Sequence, residues 1–326
     1  MEAAWDAGSR LSLPWGADEI DRVVVLGMGG SGIGGSLLAA WAVAAGAKTP
    51  VAVVRGYAPP AYVDARSLVL ASSNSGNTEE ILSATDASIA AGAKVVVMTT
   101  GGKLLEVAKQ HGLPPFTYAY SGEPRSALGW SFASLLAICG RAGVLPDAGS
   151  DLRAATEHMR SLRREIAVDV PEASNAAKQM ARRLHGKLPA YIGAEALAPV
   201  AYRWRTQVNE NAKSWGIADE LPEMNHNAQA GYGLAKEALP LLHVVFLRQA
   251  SAHPRVALRV DATSKTMREA GVATEILDVP GPSVLAQMLW AVHFGDFASY
   301  YLSVLNGVDA SPVPGIESLK KVLSGK

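Results

Sequence analysis

Two short segments of this sequence concentrate residue types that suit one task, the holding of a phosphate. In the first, Gly27-Met-Gly29-Gly30-Ser31-Gly32 fits the pattern G-x-G-x-x-G, directly after an apolar run and directly before an Ala/Leu-rich stretch. Glycines let the backbone approach an anion, and the N–H groups that open the following helix face it. In the second, Ser72-Ser73-Asn74-Ser75-Gly76-Asn77-Thr78 packs four hydroxyls and two amides into seven residues ahead of Glu79-Glu80. Short hydroxyls and amide N–H groups at a helix start hold a phosphate without any long basic side chain.

Rival readings of each segment exist. The glycine pattern alone is also a dinucleotide fingerprint, and that reading wants an acidic residue at the end of the second strand to hold ribose hydroxyls. The sequence there is Val53-Val54-Arg55-Gly56-Tyr57, with no acid. Arg55 suits a 2′-phosphate instead, which leaves an NADP oxidoreductase as the weaker reading. A tight turn uses glycine for geometry alone, yet positions 27, 29, 30, 32, 34 and 35 are all glycine. In the second segment Asn77 reads as a helix N-cap, with Glu80 three residues on as in a capping box. A cap needs one or two such residues, not six, and a dehydrogenase has no use for the second loop. Phosphate binding accounts for both.

The elements that must position these loops follow from the apolar patterning. Runs at 23–26, 51–54, 67–71 and 94–98 are short and β-branched, with helical stretches after the first and third. Such alternation predicts parallel strands covered on both faces. A helix is expected over 126–140, a linker over 145–151, and an exposed helix over 152–168. The alternation then restarts, with strands at 189–193, 242–247 and 274–277 and helices at 201–208, 255–271 and 282–305. The expected fold class is α/β, in two subdomains: 1–150, with the phosphate-binding loops, and 151–326.

Composition limits the partners. The chain has 326 residues, 30 Lys+Arg against 30 Asp+Glu, 49% hydrophobic and 18% charged residues. That balance fits a sizeable core and argues against a nucleic acid or an anionic membrane as the main partner. The single Cys139 forms no internal disulfide, and no Cys/His spacing suggests a metal site. The N-terminus lacks the basic-then-apolar run of a signal peptide, so a cytoplasmic protein is expected.

The combination strand–GxGGS–helix with strand–SxSGNT–helix resembles the sugar isomerase (SIS) domain. Further on, Asn209-Glu210-Asn211-Ala212-Lys213 and Pro222-Glu223-Met224-Asn225-His226-Asn227 are similar to segments of the bifunctional phosphoglucose/phosphomannose isomerase family, as is Ile316-Glu-Ser-Leu319-Lys320 near the end. The resemblance spans nearly the whole chain. It implies two SIS-type (flavodoxin-like) subdomains, each a parallel sheet flanked by helices, the second with the catalytic segments. It also implies an isomerase that interconverts fructose 6-phosphate with glucose 6-phosphate and mannose 6-phosphate through a cis-enediol, without metal or cofactor.

Carried over residue by residue, it makes Gly30, Ser31, Ser73, Ser75 and Thr78 the phosphate-binding set and Glu210 the base. Arg125, in Glu123-Pro-Arg-Ser-Ala-Leu, would stabilise the enediolate oxygens. His226 would open the sugar ring, reaching the site of the neighbouring subunit in a homodimer. Lys320 would be a further site cation, with Lys321 as its alternative. From residue types alone Glu210 equally reads as a surface glutamate, flanked by Asn209 and Asn211 as hydrogen-bond partners. His226 reads as a core histidine held by Asn225 and Asn227, Arg125 as a solvated arginine and Lys320 as a solvated lysine. A non-catalytic sugar-phosphate sensor would need Ser31, Ser73, Ser75 and Thr78 but not Glu210, His226 and Arg125 together. Departures from the family pattern at Gly32, Ser36, Asn74 and Ser214-Trp215-Gly216 bear on substrate preference.

Overall fold

The computed structural model describes residues 1–233 and 236–323. The chain divides into two compact units, one of Met1–His158 with Gly281–Met288 and one of Met159–Pro280 with the residues from Leu289 on.

The first unit begins with helix α1 (Glu2–Ser9) and continues through β1 (Arg22–Gly27), α2 (Gly29–Ala44), β2 (Val51–Val54), β3 (Ser67–Ser72), α3 (Glu79–Ala90), β4 (Lys94–Thr99), α4 (Gly102–His111), β5 (Pro115–Thr117) and α5 (Leu128–Arg141). The strands form one parallel sheet in the order β2-β1-β3-β4-β5. Val23–Leu26 and Leu68–Ala71 are wholly buried, as near-continuous apolar strands covered on both faces must be. Helix α6 (Gly149–Ile166) follows, so the last three residues of the expected linker form its first turn. It is not simply an exposed helix, because Leu152, Ala155, Leu162 and Ile166 are buried along it. The returning segment 281–288 is tied in where Ser283 Oγ donates to the Asp151 carboxylate.

The second unit holds α7 (Ala176–Leu184), β6 (Leu188–Ala194), α8 (Ala198–Asn211), β7 (Ile217–Leu221), β8 (Leu242–Gln249), α9 (Pro254–Glu269), β9 (Ala273–Val279), most of α10 (Val284–Leu305) and α11 (Pro314–Leu323). Its sheet is again all parallel, in the order β7-β6-β8-β9. Trp204 of α8 stacks on Phe294 of α10 and meets Tyr191 of β6 edge-on. Beside it the buried Arg203 grips Asp296 with two hydrogen bonds, of 2.8 and 3.1 Å, which fixes α8 against α10.

Both sheets match the expected α/β class. Strands β5 and β7 were not anticipated: β5 has three residues and opens on proline, while the edge strand β7 carries Asp219 and Glu220 within its five. Neither offers the apolar run by which a buried strand is read. Among the described residues no helix is long and apolar enough to cross a membrane.

Candidate active site

In the first sheet the strand order reverses between β1 and β3, and ligands of open α/β sheets bind outside the carboxyl ends of the strands at such a point. The glycine-rich turn leaves β1 there, and the Ser/Thr-rich loop leaves β3. Helix α2 starts at Gly29 with Met28 as its cap residue, so Gly30 and Ser31 lie in its first turn with N–H groups toward the helix entrance. Gly30 is where the chain needs a residue without a side chain. A Cβ there would come within 2.6 Å of the Pro124 carbonyl oxygen and 3.4 Å of the Arg125 Cα. Arg125 sits on a single 3-10 turn, Pro124–Ala127, that feeds α5. Its side chain is only 6% exposed and donates from Nη1 to Glu123 Oε2 at 3.2 Å, which overturns the reading of a solvated arginine.

The second loop is built largely from its own hydroxyls. Ser73, 3% exposed, shares a 2.8 Å hydrogen bond with Thr78 Oγ1 and accepts from the Gly76 N–H at 3.1 Å. Gly76 takes a left-handed φ of 66°, and a side chain there would run into the Gly101 carbonyl. Asn77 is not the helix cap. Thr78 holds that position, and Asn77 instead accepts from the Lys103 N–H at 3.2 Å and donates to the Ser75 carbonyl at 3.1 Å. A tertiary contact with the start of α4 has displaced the local capping pattern. Ser75 is exposed, its hydroxyl accepting from the Asn77 N–H. The Asn74 side chain accepts from the Tyr118 hydroxyl at 3.1 Å, and burial pushes that phenol up to about 12, which keeps it a donor. What this corner offers a ligand is short hydroxyls and the N-termini of α2 and α3.

In the second unit Glu210 lies half-buried in the last turn of α8. The two amides beside it make contacts of their own. Asn209 Oδ1 accepts from the Gly216 N–H at 2.8 Å, and Asn211 Nδ2 donates to Ser299 Oγ of α10 at 2.9 Å. They fix the helix end and the following loop. Lys213 adopts a left-handed φ of 54° just past the helix, and its ammonium donates to the carbonyl oxygens of Glu210 and Ala310.

His226 ends the 3-10 turn Glu223–His226 and is exposed, so the core-histidine reading fails. Asn227 donates to Glu223, at 3.2 Å to the carboxylate. Asn225 donates to Thr263 Oγ1 at 2.8 Å and accepts from Arg259 Nη1 at 3.0 Å, so α9 holds the turn that bears His226. Nothing in the local sequence pointed to Arg259 or Thr263, which lie 34 and 38 positions beyond Asn225. Lys320 and Lys321 are both exposed on α11, whose residues are all at the surface.

Other histidines have structural roles. His253 caps α9, and the buried His243 pairs with Glu275 at 2.8 Å. Burial pushes His293 down, toward the neutral form. Among the described residues no three His, Cys, Asp or Glu side chains gather as a metal site.

Comparison with known proteins gives concordant matches. The family described as "Bacterial phospho-glucose isomerase C-terminal SIS domain" matches residues 173–323. A bifunctional phosphoglucose/phosphomannose isomerase of Caldicellulosiruptor bescii is 38% identical over 327 residues, covering 99% of this chain and 96% of that protein. Another, from Aquifex aeolicus, is 35% identical over 302 residues, covering 92% and 90%. Among solved structures, that of a hypothetical protein from Thermus thermophilus superposes with a TM-score of 0.74 at 18% identity, covering 99% of this chain and 86% of that one.

Proposed function

The chain belongs to the bifunctional phosphoglucose/phosphomannose isomerase family, and from that premise we propose that it interconverts fructose 6-phosphate with glucose 6-phosphate and mannose 6-phosphate. The observation that carries the substrate class is the pair of hydroxyl- and glycine-rich helix starts at the strand-order reversal of the first sheet. In this reading the phosphate lies on the N–H groups around Gly30 and on Ser31, Ser75 and Thr78. Ser73 orients the Thr78 hydroxyl.

The Glu210 carboxylate takes a proton from C1 of the open-chain ketose as the C2 carbonyl becomes an enol oxygen. The carboxyl, whose proton exchanges with water at the enediol stage, delivers a proton to C2, while the O1 hydroxyl proton passes to O2 and C1 becomes the aldehyde. Glucose and mannose 6-phosphates differ only at C2 and share this enediol, so rotation about C2–C3 lets one base serve both. Arg125 stabilises the developing charge on the enediolate oxygens. His226 moves the ring proton, a task suited to an imidazole, which can both donate and accept one. Its exposure supports donation to the site of a second subunit in a homodimer. The exposed Ile316, Leu319 and Leu323 of α11 also support association. Lys320, with Lys321 beside it, is a further cation of the site. The reaction needs no metal or cofactor and takes place in the cytoplasm.

A coupled assay of fructose 6-phosphate conversion, with and without EDTA, tests this reading. Formation of both aldoses in EDTA is expected. Activity lost on chelation and restored by zinc would overturn the mechanism, and binding of fructose 6-phosphate without turnover would make the chain a sensor.

A further inference from the structure

The tripeptide Arg55-Gly56-Tyr57 leaves the carboxyl end of β2 and reaches both helices that start at the phosphate loops. Arg55 Nη2 donates to Ser36 Oγ at 2.5 Å and to the Gly32 carbonyl at 3.4 Å, both in the first two turns of α2. The Tyr57 hydroxyl donates to the carboxylate of Glu79, the first residue of α3 and the one directly after Thr78. One turn further along α3, Ser83 Oγ donates to the Tyr57 carbonyl at 2.8 Å.

Those two helices belong to crossovers that run in opposite directions along the sheet, β1–α2–β2 one way and β3–α3–β4 the other. Right-handed crossovers of opposite direction lie on opposite faces. A segment bonded to both start turns therefore passes over the carboxyl edge of the sheet, beside the loops it joins. Neither loop is bonded to the other by the hydroxyls described above, since Ser73, Ser75 and Thr78 bond within their own loop. Residues 55–57 supply a link between them. The hydrogen bond to Glu79 pushes the Tyr57 phenol up to about 12, so it stays a donor through the neutral range.

We propose that Arg55 and Tyr57 are positioning residues, a strap that sets the spacing of the two phosphate-binding loops and so governs the grip on the phosphate of the substrate. The proposal rests on the isomerase reading for its substrate. It predicts that loosening the strap weakens phosphate binding and leaves proton transfer alone.

The test compares wild type with Tyr57→Phe, Arg55→Met and Arg55→Lys in steady-state conversion of fructose 6-phosphate, and measures inorganic phosphate binding to each by calorimetry. Both Tyr57→Phe and Arg55→Met should raise KM and the phosphate Kd together, by about five- to tenfold, as expected for one or two lost hydrogen bonds at a partly exposed site. The kcat should stay within about twofold, because the strap acts before the chemical step. Arg55→Lys, which keeps a cation within reach of Ser36, should recover part of the loss. A merely structural role would lower the melting temperature without this KM-against-kcat split. An unchanged KM and phosphate Kd would overturn the proposal, as would a loss confined to kcat. A wild type that binds phosphate but does not turn over sugar, with the variants binding phosphate more weakly, would sink the isomerase reading and leave the strap standing. A wild type that binds no phosphate would sink both.

Discussion

Gly30 lies with its bare Cα against the backbone that carries Arg125: a Cβ on Gly30 would stand 3.4 Å from the Arg125 Cα and 2.6 Å from the preceding carbonyl oxygen. The glycine is thus needed for close approach of two chain segments about ninety-five positions apart. It brings a buried arginine up to the turn assigned to the phosphate. Packing and chemistry meet at a single missing side chain.

Gly30→Ala should consequently damage function more than its size suggests. The methyl meets main-chain atoms, which cannot rotate away, so the Arg125 turn must shift. A loss of about 1–3 kcal/mol in stability is expected, read from urea unfolding. The kcat/KM should fall about a hundredfold, as displacements near an ångström do. A variant with wild-type kinetics would show that the turn has slack.

Gly76→Ala should cost at least about 2 kcal/mol, from the left-handed backbone and the overlap with the Gly101 carbonyl together. Thermal unfolding checks this directly. Binding of inorganic phosphate should weaken in parallel, since the same residue shapes the loop.

Arg259→Met removes the donor to Asn225 Oδ1 while keeping the length of the side chain. With the turn held only from Thr263, His226 should be less well placed, and kcat should drop about tenfold with little change in KM. The melting temperature measured alongside separates this from general destabilisation, because kcat should fall with folding unchanged. An unchanged kcat would detach α9 from the chemistry.

A pH effect on stability is expected at Glu275. Burial would raise its carboxyl, but hydrogen bonds from His243 and Arg183 outweigh that and hold it below its usual 4.5. A depressed folded value means that the contribution is complete above the unfolded value and disappears as pH falls through the folded one. Glu275→Gln should therefore be less stable than wild type by about 1–3 kcal/mol at pH 7. The gap should close on acidification below about pH 4. Denaturant midpoints at pH 7, 5 and 3 measure it.

How much of this was legible beforehand depended on where the partners lie in the chain. The two strand-to-helix loops proposed to hold the phosphate were readable as loops because their residues are contiguous and sit where an apolar run meets a helical one. The parallel α/β class was readable because buried strands such as 23–26 and 68–71 leave no room for polar residues. The edge strands β5 and β7 lack that signal. Asn77 was misread because its local pattern matches a cap, while the contact that won, with Lys103, lies 26 positions away. The bonds of Asn209 to Gly216 and of Asn211 to Ser299, 7 and 88 positions away, were not legible either. The groups that hold the turn of His226 in place, Arg259 and Thr263, came only with the fold.

In the proposed mechanism Glu210 moves the proton between C1 and C2, and isotope exchange in deuterated water reads that step. Wild type should incorporate deuterium at C2 of the aldose products formed from fructose 6-phosphate. Glu210→Gln should lose that incorporation by at least about a thousandfold while still binding inorganic phosphate as wild type does. Exchange at the wild-type rate in Glu210→Gln would remove Glu210 from the base role.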